Sequence, residues 1–155
     1  MDNLQRKEPW RDSFLSNSTS FPSTQKVGPI IVDKNVLDSF KDQTYSNRQL
    51  VEDEIFFKYH GIDNRTGRKY TWLVKQAYTN EAILRTRLAI LPDWGVEITL
   101  RSTFKVPAGI WVSEGVTASQ RSFKDLNLIL PGGDYQGVIT NVTDAWIINT
   151  VKAFQ

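Results

Sequence analysis

The rhythm of hydrophobic and polar positions changes twice along the chain. Residues 1–28, with "SFLSNSTSFPST" at their centre, scatter a few aromatics through Ser, Asn, Thr, Pro and charged residues without any period. That pattern predicts a linker or docking arm with little secondary structure. Between residues 29 and 55, Val36, Leu37 and Phe40 fall at helical spacing and predict one or two short helices. From Ile55 the character becomes β: "EIFFKYHG" and "GRKYTWLVK" read as two strands joined by the turn-forming "IDNRT". "TNEAILRTRLAILPDWG" then reads as a helix, with Thr79 or Asn80 as N-cap, Glu81 in the first turn, Ile83, Leu84, Leu88 and Leu91 on one face, and a stop at Pro92. The runs "VEITLRSTFKVPAG", "IWVSEGV" and "QGVITNVTDAWIINTVKAF" return to β-branched and aromatic residues. The expected architecture is α+β, a mainly antiparallel sheet with few helices, forming a single domain over residues 29–155.

Composition adds exclusions. The 155 residues are 40% apolar and 12% aromatic, enough for a proper core in one domain. There is no cysteine, which removes disulfides, Cys-ligated metals and a thiol nucleophile. With one histidine and scattered carboxylates, no metal site is expected. No run approaches the ~20 apolar residues of a membrane span. "MDNLQRKEPW" lacks a signal peptide's apolar region, so the chain is expected to be soluble and, if exported, to travel by other means or as part of something larger. The net charge of +2 hides an asymmetry: residues 56–90 carry seven Lys/Arg against two Asp/Glu. That stretch would attract an anion, or simply form a solvated basic face.

No G-x-S-x-G elbow, P-loop or G-x-G-x-x-G is present, so hydrolase-type nucleophilic catalysis, conventional phosphotransfer and Rossmann redox chemistry lose their usual signatures. What remains is polar residues at strand ends. His60 ends a strand before Gly61, with Lys58 on the same side of that strand, and Tyr70 and Trp72 share a face as either core or a stacking platform. "LPGGDYQG" at 130–137 is either a plain turn or a flexible corner that delivers the Gln136 amide to a sheet rim.

The "YHG" element at 59–61 resembles the opening motif of diphtheria-toxin-like and poly-ADP-ribose-type ADP-ribosyltransferase folds. There the His bonds the adenosine-side ribose of NAD and the Gly lets the nicotinamide amide reach the backbone. The order "FFKYHG", "GRKYTWL", helix, "LPDWG", "FKVPAGIWVSEGVTASQ", "LPGGDYQ" is similar to the NAD-consuming modules of bacterial polymorphic toxins, of the tuberculosis-necrotizing-toxin class. The likeness covers roughly residues 56–137, and the closing motif is its most specific part. Three positions depart from the pattern: Lys58 replaces an Arg, Thr117-Ala118-Ser119-Gln120 replaces Ala-Pro-Gln, and Asp134 breaks a third glycine. Lys58 can supply charge to a pyrophosphate but not a bidentate fork.

The resemblance implies an ADP-ribosyltransferase-like fold and NAD(P) glycohydrolase activity. Gln136, Glu114 and Gln120 would be catalytic, and Lys58, Tyr59, His60, Gly61, Arg68, Tyr70, Trp72 and Gly133 would bind substrate. NAD or NADP enters as substrate, with no cofactor or metal. It further implies a secreted effector acting in a target-cell cytoplasm, countered by a cognate immunity protein, with no nucleic-acid or membrane partner. The chemistry suits these residue types: nicotinamide leaves neutral and needs no general acid, so the demand is for cations, aromatics and hydrogen-bonding groups around an oxocarbenium-like ribose. Transfer of ADP-ribose to a protein or nucleic-acid target is the alternative, favoured if Glu114 holds the last catalytic position, since Gln136 has no basic group. A ribonuclease toxin using His60 is weaker, having one histidine where two acid/base groups are usual. A non-enzymatic β-rich binding protein accommodates the same residues.

Overall fold

The computed structural model describes residues 33–62 and 69–154. The expected N-terminal arm, the "IDNRT" turn from Asp63 onward and Arg68 lie outside those residues. Two helices are described, α1 (Lys34–Asp38) and α2 (Glu81–Arg87), with nine strands: β1 (Ser46–Gln49), β2 (Glu54–His60), β3 (Tyr70–Leu73), β4 (Leu100–Val106), β5 (Trp111–Val116), β6 (Gln120–Arg121), β7 (Ile129–Leu130), β8 (Tyr135–Thr140) and β9 (Ile147–Lys152). The expected α+β class with mainly antiparallel pairing holds.

The strands form two main sheets rather than one. The first runs β1-β5-β8-β3, the second β2-β4-β9, and β6-β7 make a short separate ladder. A bridge from Phe57 to Val74 carries the hydrogen bonding from β2 to the chain after β3. Period-two alternation sorts the side chains. Phe56, Phe104 and Val106 of the second sheet meet Leu73, Val112 and Ile139 of the first in one buried cluster completed by Leu50 and Val142. Each large side chain in it contributes about 1.5–3 kcal/mol by burial. The far face of the second sheet is covered by α2, whose Leu84 packs with Val74, Tyr78, Ile98 and Ala153. On the far face of the first sheet, Val36, Phe40 and Tyr45 pack over Tyr70 and Val138. The predicted helical spacing of Val36, Leu37 and Phe40 is realised in α1 and the one-turn 3₁₀ helix Lys41–Gln43.

The helix at 81 starts as expected, with the Asn80 side chain accepting from the Ile83 N–H, but ends at Arg87 instead of running to Pro92. Ala89 takes a left-handed φ of 50° and is buried with Leu91 against Leu130. Distant packing therefore overrides local helical spacing. The long run from Gln136 also divides. Asn141, at φ 59°, turns the chain out of the first sheet, and β9 joins the second. The polar "SNRQ" of β1 gave no strand signal; its pairing with β5 creates it.

Candidate functional site

Three of the residues singled out by sequence project from one face of the first sheet. Register places Trp72 opposite Val138 and Tyr70 opposite Thr140, so Tyr70, Trp72 and Gln136 share the face that carries Val138. Gln136 is 5% exposed and its amide Nε2 donates to both the backbone oxygen and the hydroxyl of Ser39, each at 3.0 Å. The Trp72 indole N–H reaches the same hydroxyl at 3.4 Å, while its ring is 37% exposed. Ser39 O also accepts from the Ala118 N–H at 2.9 Å. Three N–H donors from three strands or loops thus converge on the two oxygens of one serine. Beside them the Thr117 hydroxyl is buried with no partner among the described residues. Such a group costs about 1–3 kcal/mol.

Glu114 lies on the other face. It is paired with Gly137, whereas Gln136 is paired with Gly115, so the two candidate catalytic groups sit on adjacent strands with opposite orientation. Their side chains leave the sheet on opposite sides, because a one-residue step along a strand reverses direction. Glu114 accepts from the Tyr135 hydroxyl at 2.7 Å and from Arg48 Nε at 2.7 Å. Arg48 also forks onto Glu54 at 2.7 and 3.0 Å, and Lys75 closes the group by pairing with Glu54. The bonds from Arg48, then Lys75, hold the Glu54 carboxyl down at about 2 despite partial burial. Burial and the bond to Glu114 push the Tyr135 hydroxyl up, so it stays a donor. A surface groove of about 430 Å³, with Lys41, Tyr45, Glu114 and Gly115 in its walls, runs over this edge.

His60 and Lys58 face between the sheets, on the side of Phe56, as the shared-side reading required. They do not share a face with Tyr70, Trp72 and Gln136. His60 is 1% exposed. Its Nδ1–H donates to the Gly61 carbonyl, and its Nε2 lies 2.7 Å from Ser102 Oγ in a hydrogen bond. Ser102 continues to Thr150 at 2.8 Å, making a closed polar chain across the second sheet. Gly61 is buried. Tyr59 turns to the opposite face, stacks on Phe154 and takes the Tyr78 N–H at 2.6 Å, a packing role.

The 130–137 corner is answered by its backbone. Gly132, at φ 68°, donates its N–H to Thr86 O at 3.0 Å, and the Asp134 N–H reaches Arg87 O at 3.3 Å. The corner therefore caps the last turn of α2, satisfying carbonyls that a helix end leaves open. A Cβ on Gly132 would lie 2.6 Å from the Thr117 and Ala118 oxygens, so only glycine fits. Gly133, at φ 103°, donates to Thr117 O at 3.0 Å. The Asp134 carboxylate accepts from Tyr78 at 2.6 Å and from Arg87 at 3.4 Å, which gives the departure from a third glycine a structural use. Gln120 opens β6 opposite Leu130, half-buried and three residues beyond Thr117.

Four cations of the basic stretch are engaged by neighbours. Lys75 pairs with Glu54, Arg85 with Glu81, and Arg87 with Asp134, while Lys69 lies over the Tyr70 ring at 5.3 Å. Sequence reading passed over Ser39, Arg48 and Tyr135. Tyr135 and Ser39 carried no spacing signal, and Arg48 sat in a polar run without period. Among the described residues no group of three His, Cys, Asp or Glu is placed to hold a metal, and no helix is long and apolar enough to cross a membrane. No protein-family model, no curated protein and no solved structure matches the chain.

Proposed function

We propose that this chain is an NAD(P) glycohydrolase with an ADP-ribosyltransferase-like active face, acting as a secreted toxin effector opposed by an immunity protein. The observation that carries the reading is the alignment of Tyr70, Trp72 and Gln136 on one face, with the Gln136 amide and the Trp72 indole converging on one pair of oxygens. Those residues supply what scission of a ribosyl–pyridinium bond requires. An exposed indole stacks on a flat ring. A held amide bonds ribose hydroxyls more strongly as charge builds on the sugar. In the step itself the C1′–N bond breaks, its electron pair neutralises the pyridinium nitrogen, and water adds its oxygen to C1′ while losing a proton to solvent. The leaving group takes no proton, so no general acid has to be found on this face.

Glu114 points to the opposite side of the sheet in this reading, held by Arg48 and Tyr135, and acts on the architecture of the sheet edge rather than on C1′. His60 holds β2 to β4 and β9 through Ser102 and Thr150. The test is loss of NAD and NADP with purified protein, following nicotinamide and ADP-ribose. Equal release of both products without an added acceptor, abolished by Gln136→Ala in a folded protein, supports hydrolysis. Intact dinucleotides at high protein concentration overturn it. Label transferred from NAD to lysate macromolecules would replace hydrolysis with transfer.

A further inference from the structure

We infer that the segment Asp33–Thr44 is an intramolecular plug, with Ser39 occupying the oxygen positions that the sugar diol of a substrate would take. This inference rests on the assignment of the Tyr70–Trp72–Gln136 face as the active face. At present the Gln136 end of that face is covered. Gln136 is 5% exposed, and among the described residues its amide nitrogen meets the two oxygens of Ser39. Two oxygens from one residue, bonded by one amide nitrogen and approached by an indole N–H, present the pattern of adjacent hydroxyls on a sugar. The segment seals this face without satisfying it, because Thr117, paired with Phe40, keeps a buried hydroxyl with no partner among the described residues.

The segment would part from the body as a unit, withdrawing the buried Val36 and Phe40 with it. Its apolar anchors, Val36 and Phe40, belong to a cluster separate from the one between the sheets. Among the described residues its backbone ties to the body are Ala118 N–H to Ser39 O and the isolated bridge of Phe40 with Thr117. α1 has five residues, too short to persist by itself. Asp42 and Gln43 both hold left-handed φ, at 55° and 54°, a conformation that non-glycine residues adopt under strain. Release would relax that strain and uncover the amide and the Thr117 hydroxyl beside the indole, which is already 37% exposed.

Two readouts test the plug, one of them independent of catalysis. Amide hydrogen exchange on the wild-type chain should show the Ala118 N–H opening at least about tenfold faster than the β3–β8 ladder amides, by local release of the segment. Exchange of Ala118 at the ladder rate makes the segment an inseparable layer and overturns the inference, whatever the enzyme assay shows. Phe40→Ala should then raise the rate of NAD hydrolysis several-fold at temperatures where its β3–β8 ladder stays protected. An unchanged or lower rate in that folded variant, with active wild type, also overturns the plug. Fast Ala118 exchange with no hydrolysis or NAD binding by either protein rejects the enzymatic assignment on which the plug's role rests, and with it the inference.

Discussion

Glu114 and Gln136 stand on neighbouring strands of one sheet and point to opposite sides of it, Glu114 toward Tyr135 and Arg48, Gln136 toward Ser39. The arrangement separates two chemistries that sequence proximity would have merged, and it makes their variants distinguishable. Gln136→Ala removes the amide that binds both Ser39 oxygens. The expected result is a folded protein, destabilised by about 1 kcal/mol, with hydrolysis reduced by about 100-fold or more. Circular dichroism with product release checks it, and retention of full activity would exclude Gln136 from catalysis.

Glu114→Gln is expected to act on stability first. It leaves Arg48 with Glu54 alone and removes the charged acceptor for Tyr135. Half-exposed pairs of this kind are worth about 1 kcal/mol once screened by solvent. A small drop in denaturation midpoint with hydrolysis near wild type fits its place on the far side. Loss of hydrolysis with unchanged stability would return Glu114 to the active face.

The Glu54 carboxyl, held at about 2 by Arg48 and then Lys75 against an ordinary value of 4.5, sets the acid response. Its folded pKa is depressed, so its contribution is complete above about 4.5 and is lost as pH falls from there toward 2. The expected loss is about 1–2 kcal/mol after allowance for solvent. Urea midpoints between pH 6 and pH 2.5 should fall for wild type and fall less for Glu54→Gln. Equal slopes would show the pair to be energetically silent.

Gly132→Ala and Gly133→Ala should differ in severity. At Gly132 a Cβ would press within 2.6 Å of two backbone oxygens, besides the left-handed φ. At Gly133 nothing lies within 4 Å, and only the φ of 103° is unfavourable. About 3 kcal/mol or more is expected for the first and about 1–2 for the second. Thermal unfolding decides, and equal losses would mean that the corner does not dock on α2 as described.

Ser102→Ala removes the hydroxyl that lies 2.7 Å from Nε2 of the buried His60. A cost of about 1–3 kcal/mol follows from the lost partner. Hydrolysis measured well below the midpoint should be unaffected, since neither residue lies on the proposed active face. A selective loss of activity would give His60 the substrate contact that the "YHG" resemblance implies.

The chain's own pattern was sufficient for local matters. Runs of β-branched and aromatic residues between turn signals identified β2, β3, β4, β5 and β8, and Asn80 with Glu81 marked the start of α2, because propensity and capping are properties of neighbours in sequence. The sharing of a face by Tyr70 and Trp72, and by Lys58 and His60, was legible for the same reason. Tertiary structure decided the rest. It made a strand of the polar Ser46–Gln49 by pairing it with β5, and it ended α2 early because Ala89 and Leu91 pack against Leu130. It also divided the final apolar run between two sheets and used the 130–137 corner to cap a helix more than forty residues earlier. Above all, it sent Gln136 and Glu114 to opposite faces and set Ser39 over the first. Which residues meet across a sheet depends on register and on the layers that cover it, and those arise only when distant segments bury apolar surface together.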